Sequence, residues 1–128
     1  MPAKAVSPRL VLVGLARSAS LVAGRAAGLA VAAEAFADRA YEADGSLRSR
    51  RLPGAVHHDP VVAAEQARSI AVDGRVRAFD GTWIEVHADT LCIHGDSPGA
   101  PAIAAAVRAA LGEAGISLAP FAPVGDDR

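Results

Sequence analysis

The stretch LAVAAEAFADRAY, residues 29–41, decides the fold. From Leu29 to Phe36 its side chains are apolar apart from Glu34. A short run that is apolar at successive positions fits a strand covered on both faces, as in a parallel sheet, better than an amphipathic element. Asp38 and Arg39 then end the run abruptly, so charged groups sit at the tip of a strand.

Working outward, residues 9–15 (RLVLVGL) repeat the pattern, with Gly14 near the end. Between the two runs, Ser18 or Ser20 can cap a helix that stops at Gly28, because a serine oxygen satisfies the first orphan N–H groups and glycine tolerates the left-handed stop. After the charged tip comes a polar stretch, residues 41–58, punctuated by Asp44-Gly45 and Pro53-Gly54. Asp59-Pro60 starts a second helix, expected to run to Val72 and to halt at Asp73-Gly74. Residues 75–79 and 82–87 form a hairpin around Asp80-Gly81, a strong turn dipeptide. Trp83 and His87 share one side of it, opposite Ile84 and Val86. Residues 90–93 read as another buried strand, followed by His94-Gly95-Asp96. A helix over residues 98–114 aligns Ile103, Val107, Leu111 and Ala114, Gly115 closes it, and residues 116–119 form a last strand.

Strands alternating with helices predict an α/β protein, a partial (β/α) barrel-like parallel sheet with flanking helices and one small β-hairpin. Closing such a barrel takes about eight strands, more than this chain supplies. Residues 9–121 are expected as one domain between disordered tails at 1–8 and 122–128. The hydrophobic share is 52% with only 4% aromatics, so the core must be assembled from small aliphatic side chains. A formal net charge of -1 and the lack of a long basic run argue against nucleic acid or an anionic membrane as partner. No segment is long and apolar enough for a signal peptide or a membrane span, and Cys92, the single cysteine, cannot form an internal disulfide. These features place the chain in the cytoplasm, with Cys92 as a buried structural thiol.

In parallel α/β folds ligands gather where strands end and helices begin. Two polar clusters occupy such places: Glu34, Asp38 and Arg39 at one strand end, and His94, Gly95 and Asp96 at another. Glu34 and Asp38 can serve as acid–base groups, or pair with Arg39 to fix the loop. His94 suits proton transfer near neutral pH, while Asp96 or Ser97 can equally be a helix cap. Arg48, Arg50 and Arg51 are either a solvated loop or an anion contact. His57-His58-Asp59 is a poor metal site, since adjacent side chains diverge and Asp59 is committed to capping. No metal site and no GxxxxGK[ST] phosphate loop is found.

LVLVGLARS (residues 10–18), EAFADRAYEADGSL (34–47), SRRLPGAV (49–56) and LCIHGDSPGA (91–100) resemble, in that order, the C-terminal half of the LamB/YcsF family, the A subunits of 5-oxoprolinase. The resemblance implies a (β/α) barrel related to polysaccharide-deacetylase barrels. It also implies ATP-dependent opening of 5-oxo-L-proline to L-glutamate, performed with subunits B and C. ATP is the implied co-substrate, because phosphorylating the lactam oxygen makes its carbon easier for water to attack. Carried over by motif, Glu34, Asp38 and His94 are the implied catalytic groups, and Arg39, Tyr41, Gly95 and Asp96 the implied substrate-binding ones.

Members of the family are about twice this length, and blocks of the DLNxDxGE, CGFHAGD, GAHPxxPD and KPHGxLYN kind, which belong to their N-terminal half, do not occur here. Arg17 stands where glycine is usual. The expectation is a chain that works with a complementary N-terminal half, or a non-catalytic remnant that self-associates. A deacetylase-like hydrolase would need a metal cluster.

Overall fold

The computed structural model describes residues 11–93 and 99–117. His94, Gly95 and Asp96 lie outside the described residues, as do both expected tails. The elements are β1 (Val11–Leu15), α1 (Ala19–Ala26), β2 (Ala30–Phe36), α2 (Pro60–Arg68), β3 (Arg75–Arg77), β4 (Trp83–Glu85), β5 (Thr90–Cys92) and α3 (Ala100–Glu113). A wide π-type turn, Ser69–Asp73, carries α2 on to Gly74, whose φ of 67° makes the stop. Of the expected last strand, Ile116 and Ser117 are not extended into a ladder, and the rest falls outside the described residues.

Among the described residues the sheet is parallel in the order β1-β2-β5, and β3-β4 pair antiparallel beside it. Its register sets Leu15 against Glu34, Glu34 against Thr90, and Phe36 against Cys92. Asp89 extends the β2–β5 pairing upstream: its N–H donates to the Ala33 carbonyl, and its carboxylate accepts the Ala33 N–H, each at 2.8 Å. Because all three strands run the same way, the segments after Leu15, Phe36 and Cys92 emerge at one end.

Alternation along the strands divides the sheet into two faces. Leu12, Gly14, Val31, Ala33, Ala35 and Leu91 share the face on which α1 lies. There a side chain on Gly24 would meet the Leu12 methyl at 2.6 Å and one on Gly14 the Ser20 hydroxyl at 2.8 Å. Ala33 and Ala35 join Leu21, Tyr41, Ile70 and the inward residues of the hairpin, Val76, Ile84 and Val86, in one core. A second core lies between α2 and α3, where Ala63 and Ala67 meet Ile103, Val107 and Leu111, with Ala37 at its edge. Leu91 packs against both. Small residues let these helices approach closely, which is what the low aromatic content demanded. The opposite face carries Val11, Val13, Leu15, Ala32, Glu34, Phe36, Thr90 and Cys92, and no described helix packs there.

Candidate functional site

The site grows from the end of β2. Glu34 is half-buried on the open face, one register step from Phe36 and its neighbour Cys92. Beyond Phe36 the chain turns inward: among the described residues, Asp38 and Arg39 are the buried charged side chains, 2% and 8% exposed. Tyr41 is buried as well, and its hydroxyl accepts the Phe36 N–H at 2.9 Å. Burial pushes the Tyr41 phenol above its ordinary value; the Phe36 hydrogen bond and Arg39 pull it down, and Glu34 pushes it up. The Cys92 thiol is likewise pushed up, first by burial and then by the carboxylates of Glu34 and Asp38. These cross-influences bring Glu34, Asp38, Arg39, Tyr41 and Cys92 into one electrostatic neighbourhood at the strand ends. Cys92 is half-buried there, beside Glu34, rather than sealed in the core.

The polar stretch that follows is tied down by hydrogen bonds. Arg39 donates from Nη2 to the Arg48 carbonyl at 2.8 Å and from Nε to that of Ala55 at 3.4 Å. Backbone bonds from Ala40 to Ala55, Arg48 to Ala40, His57 to Asp38 and Phe79 to Tyr41 close the loop around the charged segment. Arg39 therefore spends two of its donor groups on the loop. Arg48 is also internal in role. It pairs with Glu42 at 3.3 Å, donates to the Pro53 carbonyl at 2.8 Å, and stacks on Phe79 with 3.7 Å to the ring centre. Arg50 and Arg51 are exposed.

Arg17 follows β1 at the same end of the sheet with φ of 70°, the left-handed region where glycine is cheapest. Its side chain lies along Gly45 and donates to the Glu85 carbonyl at 3.1 Å. Asp59 accepts the Val61 N–H at 2.9 Å, so it caps α2 as expected. His57 instead bonds Gln66. No group of three or more potential metal ligands occurs among the described residues. On the hairpin, Arg75 and Arg77 lie over Trp83, and His87 contacts Glu85.

Gln66 is the residue that sequence reasoning passed over. It lies on the α2 stripe of Ala63 and Ala67, and its amide nitrogen donates to the Phe36 carbonyl at 2.8 Å and the Arg39 carbonyl at 2.7 Å. A polar residue within an otherwise apolar helical stripe was the available signal.

A parallel α/β unit of the β/α class, this chain carries buried charges at the carboxyl ends of its strands, where ligands gather in such folds. The chain belongs to the LamB/YcsF family, whose model matches residues 2–126. Among its relatives, the A subunit of 5-oxoprolinase from Chloroflexus aggregans is 58% identical over 114 residues, covering 89% of this chain and 45% of the relative. That of Rhodopseudomonas palustris (strain BisA53) is 54% identical over 119 residues, 93% of this chain and 47% of the relative. A crystal structure of a lactam utilization protein from Thermus thermophilus superposes with a TM-score of 0.83 at 45% identity, over 90% of this chain and 45% of that one. The chain thus spans about half the length of these relatives.

Proposed function

We propose that this chain contributes the Glu34–Asp38–Arg39–Tyr41 portion of the active site of a 5-oxoprolinase, within its A subunit. The reaction is the ATP-dependent opening of 5-oxo-L-proline to L-glutamate, in the cytoplasm, with subunits B and C and a complementary N-terminal half of the barrel. The observation that carries this reading is the burial of Asp38 and Arg39 at the strand ends of a chain so similar to proteins of that name. Burying a carboxylate and a guanidinium costs desolvation that structural bonds often fail to offset, which fits charges kept for their chemistry. In the proposed division of labour Glu34 and Asp38 handle protons, with His94 as a third such group. Arg39, Tyr41, Gly95 and Asp96 hold the lactam. ATP would activate the lactam: its terminal phosphoryl group passes to the lactam oxygen with ADP leaving, water adds to the ring carbon, and loss of phosphate with cleavage of the ring C–N bond gives L-glutamate. The test is co-expression with an N-terminal half from a relative together with subunits B and C, assayed for glutamate release. ATP-dependent release that disappears in Asp38→Asn supports the reading; no release with any such half removes it.

A second reading is a non-catalytic module that self-associates. Val13, 40% exposed on a sheet face where no described helix packs, favours it. Light scattering behind size exclusion decides: a stable monomer argues against it.

A further inference from the structure

We propose that Gln66 and His57 form a latch that positions Asp38 for the chemistry, acting through the backbone on either side of it; this rests on the functional reading above. Both hydrogens of the Gln66 amide are committed, one to the Phe36 carbonyl at 2.8 Å and one to that of Arg39 at 2.7 Å. Those carbonyls bracket Ala37 and Asp38. The remaining amide atom, Oε1, faces Nε2 of His57 at 3.2 Å. A carbonyl oxygen is only an acceptor, so His57 Nε2 must carry the proton. The flipped amide is excluded, because it would set an oxygen against two carbonyls. His57 then adds a third hold: its backbone N–H donates to the Asp38 carbonyl at 2.8 Å.

Three carbonyls, those of Phe36, Asp38 and Arg39, are therefore claimed by two side-by-side residues. From the other side, the Ala37 N–H donates to the Cys92 carbonyl at 3.1 Å. With its peptide groups held on both flanks, Asp38 has little freedom of φ and ψ, which fixes the direction in which its buried side chain leaves the backbone. Gln66 sits between buried Ala63 and Ala67, so the docking of α2 transmits directly to the strand end. An amide is suited to this post. It supplies two donors in one plane without adding a charge beside Glu34 and Asp38.

Gln66 is thus a positioning residue, and its loss should act on turnover rather than only on folding. Gln66→Met keeps the volume and removes both donors. In the assembled enzyme it should lower kcat about tenfold to a hundredfold, the usual scale for misplacing a reacting group, while KM changes less. His57→Phe keeps the backbone hold on Asp38 and removes only the ring donor. It should fold even if Gln66→Met does not, and lose a smaller part of kcat. Independently of activity, nitrogen NMR of the full chain should show neutral His57 as the Nε2–H tautomer, a preference lost in Gln66→Met. A merely structural role would lower yield and melting temperature but leave kcat per folded molecule untouched. An Nδ1–H tautomer, or variants with wild-type kcat, overturns the latch. If the wild-type assembly opens no lactam, the functional reading falls, and the ring spectrum alone then decides whether the latch stands.

Discussion

Tyr41 shows how one side chain can be both structure and site. Its hydroxyl satisfies the Phe36 N–H at the point where β2 stops pairing. Tyr41→Phe would remove that hydrogen bond, worth about 0.5–1.5 kcal/mol net; urea denaturation should show a loss of unfolding free energy of that order. The raised phenol gives the same residue a pH signature. Because burial holds the proton on in the folded chain, the unfolded chain ionises first, so the contribution of Tyr41 to stability is constant below the ordinary tyrosine range and is lost as pH rises above it. Tyr41 is the single tyrosine, so absorbance titration reads it without interference. Cys92 reports on Glu34 in a comparable way. If the Glu34 carboxylate helps push the thiol up, Glu34→Gln should lower the midpoint of thiolate formation, and alkylation at a fixed mildly alkaline pH should accelerate. An unchanged profile would mean that the two do not face each other.

At the level of elements, the tightest joint is α1 against the sheet. A methyl on Gly24 would sit 2.6 Å from Leu12 and 3.0 Å from Val31, both held in strands. Gly24→Ala should therefore push the helix off and cost about 1–3 kcal/mol, despite alanine's better helix propensity; thermal unfolding against wild type checks the sign. Most elements were legible because their signals are local. Asp59-Pro60 announces a capped helix, Asp80-Gly81 a hairpin, and the apolar runs around Val13 and Ala32 a parallel sheet. The hairpin strands are shorter than their apolar pattern because pairing stops at Arg77 and Trp83, where the turn's own bonds take over. What stayed hidden depends on residues distant in sequence. Arg39 could be placed at a strand tip, but its bonds to Arg48 and Ala55 come from the loop's return. Gln66 looked like an ordinary helix residue because its partners, Phe36 and Arg39, lie 30 and 27 positions away.

For the whole molecule, the decisive asymmetry is between the two faces of the sheet. One is covered by α1 and the hairpin, and the helix pair α2–α3 packs around Leu91. The other has no described helix on it; Val13 is exposed there, Val11, Leu15, Phe36, Cys92 and Glu34 are half-buried, and Ala32 is buried. An exposed apolar residue on such a face is a candidate contact point, and among the described residues β1 is also the edge strand of the sheet. Relatives roughly twice as long have the chain length to cover such a face from their own remaining half. When this chain is studied by itself, the same face should drive association, rising with concentration in light scattering. Val13, 40% exposed in the middle of β1, is the position to test. Val13→Lys places a charge where burial would require desolvating it, which disfavours any contact through this face, while the core side of β1 is left untouched. The variant should shift the chain toward monomer with its melting temperature nearly unchanged, and it should bind an added N-terminal half more weakly than wild type does. Association that persists undiminished in Val13→Lys would locate the contact elsewhere, and the exposed Phe79 and Trp83 beside α2 would be the next surface to examine.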